Sequence, residues 1–366
     1  MAHEIQYRPS GTVFSSSLPD IPVRVDGDFV DVRLSHPLDG VLLQERLYPF
    51  NGSVTLYDLR SLIEEAMRGR RVCVSSYLLE VSSGDESSKY DSVAIRVLYC
   101  DKVIASGDLY GFTEENFLTT LDVRRVAPGA SFPVTMFCRS GTVPDVRIKA
   151  RYRVAGEDSI RDCSFPFRSG QQNSEDSYIS FEVGVDSVKS STVEMTGYMD
   201  IELRGFTVSC GQRFLHVYVD ESLSRGRAFI FRNCFNVPEL FQMRTVTVGK
   251  TEVSRSTATL TSKSRFYDQT VSKTYESDTD SLTFDEAGWI DQFLCSRDVS
   301  VIEPGRPGAA RVLRPVLITS FTCGISDGDE SLNSVKFSWR YDDDRPAVAL
   351  RVSPGIFTSP YNPVFS

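Results

Sequence analysis

Three histidines, His3, His36 and His216, are all that 366 residues provide, so acid–base or metal chemistry built on imidazole has little to draw on. His3 lies in a terminus expected to be mobile. His216, inside Phe214-Leu215-His216-Val217-Tyr218, reads as a packed or surface residue of a strand. Gly249-Lys250-Thr251 has the ending of a phosphate-binding loop, but that loop requires glycine where Arg244 stands and a helix where strand pattern continues. The acidic runs Asp278-Thr279-Asp280 and Asp327-Gly328-Asp329-Glu330 lack the ligand spacing and terminal glutamate of a calcium loop, and Asp342-Asp343-Asp344 likewise reads as a solvated turn. Eight cysteines (Cys73, Cys100, Cys138, Cys163, Cys210, Cys234, Cys295, Cys323) lie far apart, with no C-x-x-C pair and no neighbouring histidine, so they read as reduced core thiols. A glycosidase needs two carboxylates at a set separation, and 49 acidic residues always include such a pair without marking it. No catalytic, cofactor-binding or metal-ligating residue is assigned, and the chain is expected not to be an enzyme.

The elements that would position any site are mainly strands. A hydrophobic fraction of 41% and a charged fraction of 24% are those of a folded chain, not a disordered one. Net charge of -9 opposes a broad nucleic-acid footprint, and the local basic cluster Arg68, Arg70 and Arg71 falls at a helix end, where cations complement the dipole. The opening residues Met1 to Tyr7 carry no secretion signal, and no apolar run reaches the about 18 residues needed to span a bilayer, so no membrane partner is expected.

Alternation in Val93 to Tyr99, Asp200 to Phe206 and Val335 to Trp339 predicts strands, and Phe206 to Val219 reads as a hairpin broken at Cys210-Gly211-Gln212 with both arms largely buried. Two helices interrupt the sheets. One has Thr55 as N-cap, with Leu59, Leu62, Ile63, Ala66 and Met67 on one face; the other has a capping box of Thr283 and Glu286. A shorter candidate runs from Thr113 to Leu118. The fold class is mainly β: tandem β-sandwich or barrel-like domains with two short amphipathic helices. Residues 1–154 form an N-terminal β domain with a helix over 56–68, and 155–175 a linker or long loop. Residues 176–352 form a C-terminal β domain with a long polar hairpin over 246–277 and a helix over 284–294, followed by an extended arm over 353–366.

That hairpin has Thr, Ser, Lys, Arg and Glu on both faces, and so little to bury within one chain. A two-stranded ribbon is marginal alone in water, so it must lie on a sheet or pair with neighbouring subunits. Its candidate assembly residues are Val248, Val253, Arg255 and Thr257 on the first strand and Arg265, Tyr267, Val271 and Tyr275 on the second. In the Pro-punctuated terminal arm, Phe357, Tyr361 and Phe365 are candidate anchors on a neighbour, or on the same chain.

Phe231-Arg232-Asn233-Cys234-Phe235-Asn236-Val237-Pro238-Glu239 is followed by the polar hairpin, the capped helix, Ser296-Arg297-Asp298-Val299 and the strand Pro315-Val316-Leu317-Ile318-Thr319. This order, over residues 225–345, resembles β-rich tail or baseplate proteins of tailed phages and prophages of gut Bacteroidetes. The resemblance implies a virion protein of the distal-tail or hub class, made in the host bacterial cytoplasm. It would form a homo-oligomeric ring whose hairpins build a tube-like barrel. Its partners would be copies of itself and other tail proteins, with DNA only as cargo passing through the tube. A second reading is a non-catalytic carbohydrate- or protein-binding β-sandwich module that presents its plentiful Tyr and Phe to a ligand.

Overall fold

The computed structural model describes residues 3–82, 90–104, 107–170, 172–260, 263–279, 281–303, 312–324 and 333–343. The molecule is mainly β, with sandwich-like packing of sheets and helices around three hydrophobic cores and a fourth where the lobes meet.

The first lobe holds β1 (Glu4–Ile5), β2 (Thr12–Phe14), β3 (Ile21–Arg24), β4 (Val30–His36), β5 (Gly40–Leu47), β6 (Ser53–Leu56), α1 (Leu59–Arg70), β7 (Val74–Ser82) and β8 (Tyr90–Leu98). Its sheets run β1-β3-β6 and β2-β8-β7-β4-β5. Alternate residues of β4, Val30, Val32 and Leu34, enter the core, and α1 lays Leu59, Ile63 and Met67, each four apart, on the same core. Thr55 does not cap this helix. It pairs with Pro22 as part of β6, and Asp58, in a left-handed conformation, precedes the first helical residue. His3 is buried, its Nδ1 accepting from the Asp26 amide, so this histidine is tied down rather than mobile.

The second lobe follows with α2 (Leu109–Glu115), β9 (Val123–Val126), β10 (Ser131–Cys138), β11 (Asp145–Val154), β12 (Ile160–Ser169), β13 (Ser177–Gly184), α3 (Val185–Thr196), β14 (Ile201–Cys210) and β15 (Arg213–Val219). The sheet β12-β11-β14-β15-β9 and the ribbon β10-β13 share one core around Phe132, Ile148 and Phe206. A strand, β12, stands where residues 155–175 suggested a linker or long loop. Being an edge strand that buries only Phe165, it needs few apolar residues and tolerates Pro166. The helix α3 was not expected, and α2 begins four residues before the expected Thr113. The hairpin turning at Gly211, where φ is +62, is present, but β15 buries only alternate residues and leaves Phe214, His216 and Tyr218 outward.

The third lobe comprises β16 (Ala228–Arg232), β17 (Pro238–Gln242), β18 (Thr245–Leu260), β19 (Lys263–Thr279), α4 (Phe284–Cys295), β20 (Val299–Glu303), β21 (Val312–Gly324) and β22 (Ser334–Tyr341). These strands form one sheet ordered β17-β16-β20-β21-β22-β19-β18. The capping box of α4 is present: Thr283 Oγ1 accepts from the Glu286 amide at 3.2 Å and Glu286 Oε2 from the Thr283 amide at 3.0 Å. Phe293 of α4 stacks on Phe241 at 4.2 Å, which seats the helix on the sheet.

The loop between β16 and β17 joins the lobes. Asn236 Nδ2 donates to the Met67 and Val72 carbonyls at the end of α1, and the Cys234 amide donates to Gln292 Oε1 of α4. Asn233 Nδ2 donates to the Leu118 carbonyl and to Glu239, which also forms a buried ion pair with Arg124.

Candidate assembly surface

The β18–β19 ladder runs from Thr245↔Thr279 to Leu260↔Lys263, but β19 pairs with β22 only from Tyr275↔Trp339 to Asp278↔Lys336. Past Tyr275 the ribbon therefore leaves the sheet as a two-stranded arm. Among the described residues, the outer edge of β18 has no strand partner anywhere, and β19 has none on its second side over 263–274.

The root of the arm is fixed by packing. Tyr275 stacks on Trp339 at 4.4 Å, and the Arg227 guanidinium lies 5.6 Å and 5.4 Å from the two rings. Trp339 Nε1 donates to Ser277 Oγ at 3.0 Å, and Thr279 Oγ1 accepts from the Val335 amide at 2.9 Å. Tyr275, read as an interface residue, is half-buried here and belongs to the chain's own core.

Beyond the root the two faces of the arm differ in chemistry. Val253 and Val271 are cross-strand partners, and on the same face Arg255 sits over the Phe266 ring at 5.1 Å and donates to Gln269 Oε1 at 2.9 Å. Thr257 pairs with Phe266 on this face. The opposite face is charged and hydroxylated, with Val248 across from Glu276, Arg265 across from Ala258, and Lys250 in an ion pair with Glu276. A bulge lets Ser256 face Asp268 and Thr257 face Phe266, which leaves Tyr267 as the extra residue, 72% exposed. Thus Val253, Arg255, Thr257 and Val271 come together, Val248 and Arg265 lie on the other face, and Tyr267 stands in the bulge. Phe357, Tyr361 and Phe365 lie outside the described residues. Phe266, 63% exposed, was missed, because without the bulge the alternation of β19 places it on the wrong face. At the root, a groove of about 1040 Å³ is lined by Val246, Val248, Glu276, Asp278, Ser320 and Lys336, with Asp278 and Lys336 paired at 3.2 Å.

The other residues singled out from the sequence serve the chain itself. Arg68 pairs with Glu65 and donates to the Tyr99 hydroxyl, Arg70 pairs with Asp39, and Arg71 with Asp298. His216 shares a hydrogen bond with Thr207 on the surface of β15. His36 is buried against Arg70, Ser75 and Tyr77, where burial first and Arg70 second pull its pKa below the ordinary value, with Asp39 opposing. Among the described residues no group of three His, Cys, Asp or Glu side chains is placed to hold a metal. Asp280, the run at 327–330 and Asp344 lie outside them.

No protein-family model matches the chain, and no curated protein matches it in sequence. Among the solved structures that match, three are similar to the chain only weakly. One is CBD12 from CALX1.2, at 11% identity and a TM-score of 0.20, covering 57% of this chain and 79% of that one. A DUF4785 family protein from Legionella pneumophila gives 12% and 0.17, covering 60% and 56%. The E. coli alpha-2-macroglobulin gives 9% and 0.20, covering 90% of this chain and 24% of that one. TM-scores of this size fall short of a common fold, and no assignment follows from them.

Proposed function

We propose that this protein is a structural subunit that assembles with copies of itself by joining its arms edge to edge. The observation that carries this reading is the arm: a two-stranded ribbon solvated on both faces, with one edge on β18 and another on β19 that have no strand partner among the described residues. An exposed edge of this length is a template for strand pairing, and soluble proteins blunt such edges or cover them. Pairing β18 of one copy with β19 of the next is antiparallel and repeats around a ring, so that closure leaves no edge, with two strands from each copy. A two-fold β18–β18 contact would leave both β19 edges open. The particular setting we propose, the distal-tail or hub region of a phage tail, is supported by the order of elements over residues 225–345, which includes this arm.

Light scattering on the purified chain tests the reading. A discrete ring is expected, and replacing residues 249–274 by a short turn should give a folded monomer with unchanged circular dichroism outside the loss of the arm. Only monomer at high concentration, with the arm of that monomer resistant to protease, would overturn it.

One observation favours the binding-module reading. Tyr48, Phe50 and Tyr57 are exposed aromatic residues around the tight turn at Asn51-Gly52, and Phe50 is 82% exposed. A glycan array that lights up with wild type and goes dark with Phe50→Ala would favour it over assembly as the primary role.

A further inference from the structure

We propose that the outer face of the sheet β12-β11-β14-β15-β9 binds single-stranded nucleic acid. The site belongs to the second lobe and uses no residue of the arm. Strand β11 alternates strictly: Val146, Ile148, Ala150 and Tyr152 enter the core, and each residue turned outward between them is a cation, Arg147, Lys149, Arg151 and Arg153. Four cations in line on one strand make a local positive stripe on a chain whose net charge is -9. Strand β15, two places across the sheet, turns out rings instead. Phe214 and Tyr218 are 52% and 50% exposed, and His216 lies exposed between them.

The ladder registers hold the two columns level. Arg147 pairs with Ser209, and Ser209 with Phe214. Lys149 pairs with Thr207, and Thr207 with His216, whose Nδ1 shares a hydrogen bond with the Thr207 hydroxyl at 2.9 Å. Arg151 pairs with Gly205, and Gly205 with Tyr218. Each row thus crosses the sheet as cation, small residue and aromatic ring, and the unit occurs three times in succession. Rows follow at every second residue, about 6.7 Å along the strands, and the columns stand two strands, about 10 Å, apart. A polymer with one anion and one flat ring in each monomer matches that repeat. Its phosphates lie along β11, and its bases reach over the low floor of β14 to stack on the rings of β15.

The cations are available to such a ligand. Among the described residues, Arg147, Lys149, Arg151, Arg153 and Arg204 share three carboxylates, those of Asp145, Asp162 and Glu202, with Asp162 serving both Lys149 and Arg151. All five cationic side chains reach solvent, where ion pairs of this kind are weak and exchange readily for a phosphate. An acidic peptide would satisfy the cations and leave the ring column unused. A duplex keeps its bases stacked inside and cannot offer them to β15.

Fluorescence anisotropy of a short labelled oligothymidylate titrated with the full chain tests the proposal, with unlabelled single strand, a duplex of the same length and polyglutamate as competitors. The single strand should bind, and log Kd should rise with log salt concentration with a slope of about 2, roughly 0.7 for each of three phosphates. Phe214→Ala and Tyr218→Ala should each weaken binding about tenfold. Arg151→Gln should weaken it and lower the slope by about 0.7. Lys189→Gln, at an exposed position on α3, should do neither. No binding at low salt, competition by duplex or polyglutamate as strong as by unlabelled single strand, or full affinity in both ring variants overturns the proposal. The wild-type competition decides the matter even where a variant fails to fold.

Discussion

At the scale of single residues, His36 shows how burial makes a side chain sensitive to acid. Its Nδ1 accepts from the Leu38 and Asp39 amides at 3.1 Å and 3.2 Å, and the Arg70 guanidinium lies 2.6 Å from Nε2, so the site is built for a neutral ring. In the unfolded chain the ring titrates at its ordinary 6.5, whereas in the fold burial and Arg70 hold it lower. The unfolded state therefore binds more protons as the pH falls. The stability that depends on a neutral His36 is complete above 6.5 and is lost as the pH drops towards the lowered folded value. Melting curves should show wild type losing stability from pH 6.5 downward and His36→Gln following a flatter course over the same window. Equal slopes would mean that other groups set the acid limit.

At the scale of elements, the arm stands or falls with its root. Truncating Tyr275 removes its stack on Trp339 and its contact with Arg227, so Tyr275→Ala should cost about 2 kcal/mol and Tyr275→Phe far less. Hydrogen exchange should then show lost protection in residues 275–279 of the Ala variant and in β22 opposite them. The hairpin was legible in the sequence because two long polar strands run either side of one turn, though whether it lay on the sheet or left it was not, and α4 was legible because Thr283 and Glu286 announce it. Other elements were hidden for physical reasons. Helix α3 is rich in Val, Ser and Thr and begins after Gly184 with no side-chain cap. Its spacing of Val185, Val188 and Thr192, with Gly197 closing the helix at φ +75, was the available signal. Strand β12 buries a single residue, and Thr55 has the chemistry of a cap but is held in a ladder. Tertiary pairing decided both, and local pattern does not contain it.

At the scale of the whole molecule, the junction between β16 and β17 should make the lobes unfold together. Asn236 reaches the end of α1 through two donated hydrogen bonds, Arg232 reaches the Arg71 carbonyl, and Cys234 is held by Gln292 of α4, so one short loop touches the first and third lobes at once. Asn236 also has φ of +57, a conformation that asparagine tolerates better than most side chains. Asn236→Ala would leave the Met67 and Val72 carbonyls without this donor inside a buried junction and add backbone strain, at a combined cost of about 2–4 kcal/mol. Because that energy couples lobes that each keep a core of their own, the loss should change the shape of unfolding as well as its midpoint. Calorimetry should give one transition for wild type and, for Asn236→Ala, a lower first transition that separates from the second. Asn236→Gly relieves the strain but not the missing donors, so it should recover part of the midpoint and little of the cooperativity. A single transition that merely shifts in both variants would show that the lobes are coupled by the apolar contacts of Phe235 and its neighbours rather than by the hydrogen bonds of this loop.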